Sequence, residues 1–157
     1  MSEQQQQQPQ FGIEKIYIKD LSLEIPNAPQ IFLERENPQI EISVHTAASP
    51  LEQAGLFEVV MTVTVTAKLG EKTVFLIEVA QAGIFQVLGL PPQEVDAVLG
   101  IMCPNTLLPY AREAVASLMA RAGFPPVLLQ HMNFEAAYHD RLRQLQQEQA
   151  ARAAAPN

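Results

Sequence analysis

Between Phe57 and Phe85 the sequence FEVVMTVTVTAKLGEKTVFLIEVAQAGIF changes character at every second residue, and this constrains the fold more than any other stretch. Phe57, Val59, Met61, Val63, Val65 and Ala67 share one parity, while Glu58, Thr62, Thr64, Thr66 and Lys68 share the other. Period-two alternation places one set on each face of a pleated strand, so this is a strand with one buried face. Its β-branched residues suit such a surface. Leu69-Gly70-Glu71 interrupts the pattern, and Thr73, Phe75, Ile77 and Val79 resume it. The prediction is two long antiparallel strands joined by a tight hairpin. On the other parity of the second strand, Val74, Leu76, Glu78 and Ala80 form a mixed apolar and acidic surface. By spacing alone an ordinary solvent face carrying one chance leucine is the readier reading.

The flanking segments supply more strands. Ile13 to Ile25 is β-rich, with Leu21, Leu23 and Ile25 on one side and Asp20, Ser22 and Glu24 on the other. Two carboxylates on one outward face also fit a solvated edge that discourages aggregation by charge. Pro26-Asn27-Ala28-Pro29 is a stop. Ile40, Ile42 and Val44 come after Pro38, a residue at home at a strand start or edge. A loop is expected from Ala47 to Gly55. Four antiparallel strands would leave one apolar face open unless helices cover it.

After Phe85 the period changes. Pro91-Pro92-Gln93-Glu94 opens a short helix that Gly100 should end. A longer helix is expected from Asn105 as N-cap, with Pro109 in its first turn and Gly123 at its C-terminal cap. The connector Phe124-Pro125-Pro126-Val127-Leu128-Leu129 is too apolar for a solvated link and reads as a buried loop or a binding rim. Asn133 should cap a last helix carrying Phe134, Ala137, Tyr138, Leu142 and Leu145. This makes residues 11–145 one α+β domain, between a disordered polyglutamine tail at 1–10 and a flexible tail at 146–157.

Composition narrows the function. A formal net charge of −7 disfavours nucleic acid, which demands clustered Lys and Arg, and favours basic or mixed-charge partners. The single cysteine, Cys103, cannot form an intramolecular disulfide, and the N-terminus has neither the basic start nor the apolar core of a signal peptide. No apolar run reaches membrane-spanning length. A soluble, cytoplasmic protein with no direct membrane insertion is expected. Gly70-Glu71-Lys72-Thr73 resembles the end of a phosphate loop, but Glu71 and Thr66 stand where that loop needs glycines. His131 and His139 have no partner at metal-ligand spacing, and Cys103 before Pro104 reads as a small buried residue. The expectation is a recognition protein and not an enzyme, with no cofactor and no metal.

Five motifs then carry a resemblance across most of the chain: Leu23-Glu24-Ile25-Pro26-Asn27-Ala28-Pro29, Ala82-Gly83-Ile84-Phe85, Cys103-Pro104-Asn105 running into Leu108-Pro109-Tyr110-Ala111-Arg112-Glu113, Gly123-Phe124-Pro125, and Asn133-Phe134-Glu135-Ala136-Ala137-Tyr138. Their order and spacing resemble the SecB family of bacterial export chaperones. The resemblance implies a four-stranded antiparallel sheet followed by helices, assembled as a dimer of dimers, a homotetramer with helices between two eight-stranded sheets. It implies an ATP-independent holdase that binds unfolded precursor proteins and delivers them to the SecA ATPase. Residues implied at the SecA face are Asp20, Glu24, Leu76 and Glu78. Those implied in the client groove are Ile40, Ile42, Val44, Tyr110, Val127, Leu129, Phe134, Tyr138 and Leu142. Glu36 departs from the family pattern, since many relatives have a large aromatic there. SecB-like chaperones of toxin–antitoxin systems are the alternative that the same resemblance allows.

Overall fold

The structure, a computed structural model, describes residues 8–156. Most of the expected N-terminal tail therefore lies outside the described residues, although Gln10 already belongs to the first strand. Four strands form one antiparallel sheet: β1 (Gln10–Glu24), β2 (Gln39–Pro50), β3 (Leu56–Leu69) and β4 (Lys72–Leu88), in the spatial order β1-β4-β3-β2. Three helices come after it, α1 (Pro92–Ala97), α2 (Cys103–Arg121) and α3 (Phe134–Ala154).

The hairpin behaves as its alternation requires. Leu69 pairs with Lys72 across the two-residue turn Gly70-Glu71. Gly70 sits at φ +60, and among the described residues none other than glycine has positive φ, which makes this a turn with glycine at its first central position. Val59, Met61, Val63, Val65 and Ala67 on β3, with Ile77 and Val79 on β4, are completely buried. They face α2, whose Leu107, Ala111, Val115 and Met119 close the core.

β1 is less regular than the sequence suggests. Its register against β4 shifts between Ile13 and Lys15, and again between Ile18 and Asp20, leaving Glu14 and Lys19 as bulge residues. Each bulge exchanges the parity of the strand C-terminal to it. The result is that Phe11, Ile13, Ile16, Ile18, Leu21 and Leu23 all lie opposite odd-numbered β4 residues, on the helix side of the sheet.

Four further expectations need correction. The loop expected at Ala47 begins only after Pro50, because Ala47 to Pro50 pair with Phe57 to Val60 of β3. A long neighbour here outweighs the low β-propensity of Ala, Ser and Pro, and Pro50 is tolerated at the end of an edge strand. Gly100 does not end the first helix, nor does Asn105 cap the second. Instead Val98–Met102 makes a π turn in which the Cys103 N–H donates to the Val98 carbonyl, so the chain runs helically from Pro92 to Arg121. Pro104 gives the reason: it has no N–H for the Gly100 carbonyl and its ring would crowd that oxygen, and widening the preceding turn relieves both. Pro109 is consequently an interior residue of α2.

Other ends obey their sequence signals. Gly123, at φ +88, donates to Ala120 O at 3.1 Å while Phe124 N–H donates to Met119 O at 3.0 Å, a Schellman ending. Asn133 Oδ1 accepts from Ala136 N–H at 3.0 Å. α3 then continues beyond Gln146, where a fraying end was expected, as an exposed run of Ala, Gln, Glu and Arg, all good helix formers. No helix among the described residues is long and apolar enough to cross a membrane.

Candidate functional site

The sheet has two unlike faces. On the face away from the helices, Glu24 stands opposite Leu76 and Ser22 opposite Glu78, while Asp20 is opposite Ala80. The four residues implied for the SecA face thus share one side of two adjacent strands. Asp20, Glu24 and Glu78 are exposed and Leu76 is half-buried. Continuing across the sheet, Leu76 is opposite Thr66 and Thr66 opposite Glu41; Glu78 is opposite Thr64 and Thr64 opposite Ser43. This surface is a small apolar spot ringed by carboxylates and hydroxyls. Among the described residues, none of Asp20, Glu24 and Glu78 takes part in an ion pair.

A little further along the same face, Glu58 of β3 accepts hydrogen bonds from the Tyr17 hydroxyl and, at 2.7 Å, from Lys19 Nζ. These bonds, that of Lys19 first, hold the Glu58 carboxyl below its ordinary pKa. Burial, and after it the bond to Glu58, pushes the Tyr17 phenol up to about 12. To reach Glu58, Tyr17 passes over its β4 partner Ala82, which is fully buried on this otherwise open face.

The helix side divides the nine implied groove residues. Ile40, Ile42 and Val44 form one row on the inner side of β2, opposite Ala67, Val65 and Val63. Ile40 and Ile42 are exposed and Val44 is half-buried, because β2 is an edge strand that the helices cover only in part. Val127 and Leu142 are also half-buried. Tyr110 of α2 is half exposed and does not line the clefts beside the π turn. Leu129, Phe134 and Tyr138 are buried within the chain, at 4%, 7% and 8% exposure. Leu129 and Phe134 belong to the main core. Tyr138 rests on Gly100, where a Cβ would lie 2.7 Å from its ring, and donates to Asp96 Oδ2 at 2.8 Å.

Two adjoining clefts, of about 150 and 120 Å³, run between Thr46 and Ala48 of β2, Leu99 and Gly100 of the π turn, and Tyr138 and Arg141 of α3. They extend the apolar row of β2. The Arg141 guanidinium lies 5.7 Å from the Tyr138 ring centroid and 3.9 Å from Asp96 Oδ2. Beside the connector read as a possible rim, where Leu128 is 60% exposed, a further open apolar turn was missed: Leu33 is 82% exposed, and Phe32 stacks on Phe124, itself 4.9 Å from Phe75. The signal for it was Gln30–Leu33, a short apolar 3₁₀ turn hidden between prolines. Cys103 is completely buried and its thiol is pushed up to about 12 by desolvation, so it is inert at neutral pH.

A family model described as preprotein translocase subunit SecB matches residues 4–145. The chain belongs to the SecB family. The protein-export protein SecB of Chromobacterium violaceum is 62% identical over 138 residues, covering 88% of this chain and 91% of the relative. That of Methylobacillus flagellatus is 59% identical over 146 residues, covering 93% and 90%. A solved SecB-like chaperone from Mycobacterium tuberculosis, in complex with a peptide from an antitoxin, superposes with a TM-score of 0.64 over 78% of this chain and 91% of that one, at 19% identity, and shares the fold. SecB membership identifies a chaperone of protein export, and the chain carries partly open apolar residues on the helix side of its sheet and exposed carboxylates on the other.

Proposed function

We propose that the protein is an ATP-independent holdase that keeps unfolded precursor proteins competent for translocation and hands them to the SecA motor. The observation that carries this reading is the clustering of Asp20, Glu24, Leu76 and Glu78 on the outer face of β1 and β4, with their carboxylates unpaired by the cations of the described residues. A basic motor surface with one apolar contact is the complementary shape. Clients would bind on the opposite side, along Ile40, Ile42 and Val44 and over the Phe32, Leu33 and Leu128 area. Both sites can then be filled together.

The energetics explain why such a protein would be multivalent. Burying about 400 Å² of client apolar surface yields roughly 10 kcal/mol at ~25 cal/mol per Å². Ordering an unfolded segment costs about 1–2 kcal/mol per residue, so roughly eight residues offset most of the gain. Single grooves are weak, and an oligomer restores tight holding through avidity while each contact stays releasable. A homotetramer built as a dimer of dimers supplies four grooves. β1 is suited to pairing with a second copy, since it is an edge strand whose inner side leaves Phe11, Ile13, Ile18 and Leu21 between 37% and 51% exposed. Four chains at −7 give −28, which favours basic clients and a basic motor and predicts that both associations weaken with salt.

Light scattering of the protein alone, and after mixing with a slow-folding precursor diluted from denaturant, tests the holdase part. A tetramer that captures the unfolded precursor and ignores the folded one is the expected result; a monomer that captures neither would end the proposal. Glu78→Lys tests delivery. It should abolish SecA binding and spare client capture, and equal loss of both would make the outer face structural.

A further inference from the structure

Lys19 is the residue that the second bulge of β1 leaves without a β4 partner, immediately before Asp20. Both residues are on the outer side of the sheet: Asp20 faces with Ala80, and Lys19 reaches Glu58 there. An ammonium on a flexible four-carbon stem beside an exposed carboxylate is well placed to fold over it. In this protein it is drawn the other way. Lys19 Nζ lies 2.7 Å from Glu58 Oε1, on the far side of β4, and the other Glu58 oxygen is taken by the Tyr17 hydroxyl. The Glu58 side chain is only 18% exposed while that of Lys19 is 51% exposed, so the carboxylate is the fixed partner and the lysine the mobile one. Glu58 sits on β3, two strands from β1, a separation of about 9.5 Å. The other outer-face cation of β1, Lys15, lies beyond Tyr17, further from the acidic patch.

We propose that Glu58 is a specificity-determining residue of the outer face: with Tyr17 it tethers Lys19 to β3, so that Asp20 meets the basic partner with no cation of its own chain competing for it. This rests on the docking of a basic motor at the same face. It adds a residue that touches no partner yet sets how much negative charge the partner meets, and it explains why a lysine inside an acidic docking face does no harm.

The test is the affinity of the full-length protein for purified SecA, by titration calorimetry at low ionic strength. Glu78→Lys examines the docking reading, and Glu52→Gln, which removes one carboxylate from the exposed 51–55 loop, controls for bulk charge. Glu58→Gln should bind about two- to fivefold more weakly than Glu52→Gln, the range of an exposed ion pair formed between Lys19 and Asp20 in place of the partner. Adding Lys19→Gln to Glu58→Gln returns the net charge to that of the wild type and should restore wild-type affinity, and the difference between Glu58→Gln and Glu52→Gln should shrink as salt is raised. Lys19→Gln alone, which disturbs the fold least, should leave binding unchanged within about twofold.

If Glu78→Lys binds as the wild type does, the docking reading fails and the inference with it. If Glu78→Lys weakens binding but Glu58→Gln matches Glu52→Gln, only the tether is disproved. Failure of the double variant to recover would assign the loss to distortion of the sheet and overturn the charge-competition argument. Marked tightening in Lys19→Gln would show that Lys19 already screens Asp20, with the same consequence, whether or not Glu58→Gln folds.

Discussion

Tyr138→Ala should release α3 from the rest of the molecule. Of the 21 residues of that helix only Phe134 and Tyr138 are buried. Most helical stability in proteins comes from tertiary packing, so the docking of α3 depends chiefly on those two rings. Tyr138 is 8% exposed, lies against Gly100 and bonds Asp96 through its phenol. Truncating a buried aromatic to alanine costs about 3–5 kcal/mol. The lower end applies here, because Asp96 is half exposed and the cleft beside the ring is open. Roughly 3 kcal/mol corresponds to about a hundredfold rise in the opening equilibrium of α3. Native-state amide exchange along α3 reads this directly, at fixed protein concentration so that any change in assembly does not enter. Tyr138→Phe keeps the ring and loses one hydrogen bond to a carboxylate, about 1 kcal/mol, so its exchange should rise only about fivefold. Unchanged exchange in Tyr138→Ala together with lost client capture would refute the packing argument and return Tyr138 to the groove.

Gly83→Ala should lower stability by about 1–3 kcal/mol through overpacking, since a Cβ there would fall 2.7 Å from the Phe85 ring and 3.1 Å from Ile16 Cδ1; an unchanged melting temperature would mean that the ring has room to move. Cys103 should resist alkylation at neutral pH and react only at the rate of unfolding, and rapid modification of the native protein would contradict its burial. Tyr17 has a folded pKa raised to about 12, above the ordinary value of about 10, so its contribution to stability is complete below pH ~10 and is lost as pH rises from there through about 12. Tyr17→Phe should therefore flatten the alkaline limb of the stability profile, and an identical limb in both proteins would show that the hydroxyl is not held.

The hairpin was legible because two long strands alternate without a break, and Leu76 and Glu78 were assigned to the outer face by the same parity. The outward position of Asp20 and Glu24 was equally legible, but what stands opposite them was not, since pairing is a tertiary fact. β1 hid its organisation in plain spacing: Phe11, Ile13, Ile16, Ile18, Leu21 and Leu23 are separated alternately by two and three residues, and two bulges are what that interval requires. The length of β2 could not be read, because Ala47 to Pro50 have little strand preference and pair only because β3 is there. The helix boundary at Gly100 misled for a different reason. Glycine usually stops a helix, but here its missing side chain makes room for the Tyr138 ring. That contact also explains why the groove residues divided as they did: apolar character marks a residue as wanting burial, and only the position of the neighbouring helix decides whether Ile42 stays open while Phe134 and Tyr138 are covered.

The two bulges tie the faces of the sheet together. On a strictly alternating β1, the set containing Leu21 and Leu23 could not share a side with Ile16 and Ile18; one pair would point away from the helices. Holding Ile16 and Ile18 inward without the bulge at Lys19 would turn Asp20, Ser22 and Glu24 toward the core, and burying unpaired carboxylates costs far more than a bulge. The extra residue therefore satisfies the core first, and the outward carboxylates are its consequence. The residue inserted to do this is a lysine, the one side chain whose charge would undo the acidic face, and Glu58 is positioned two strands away to receive it. A local irregularity demanded by packing thus creates both the acidic patch and the need for the ion pair beside it.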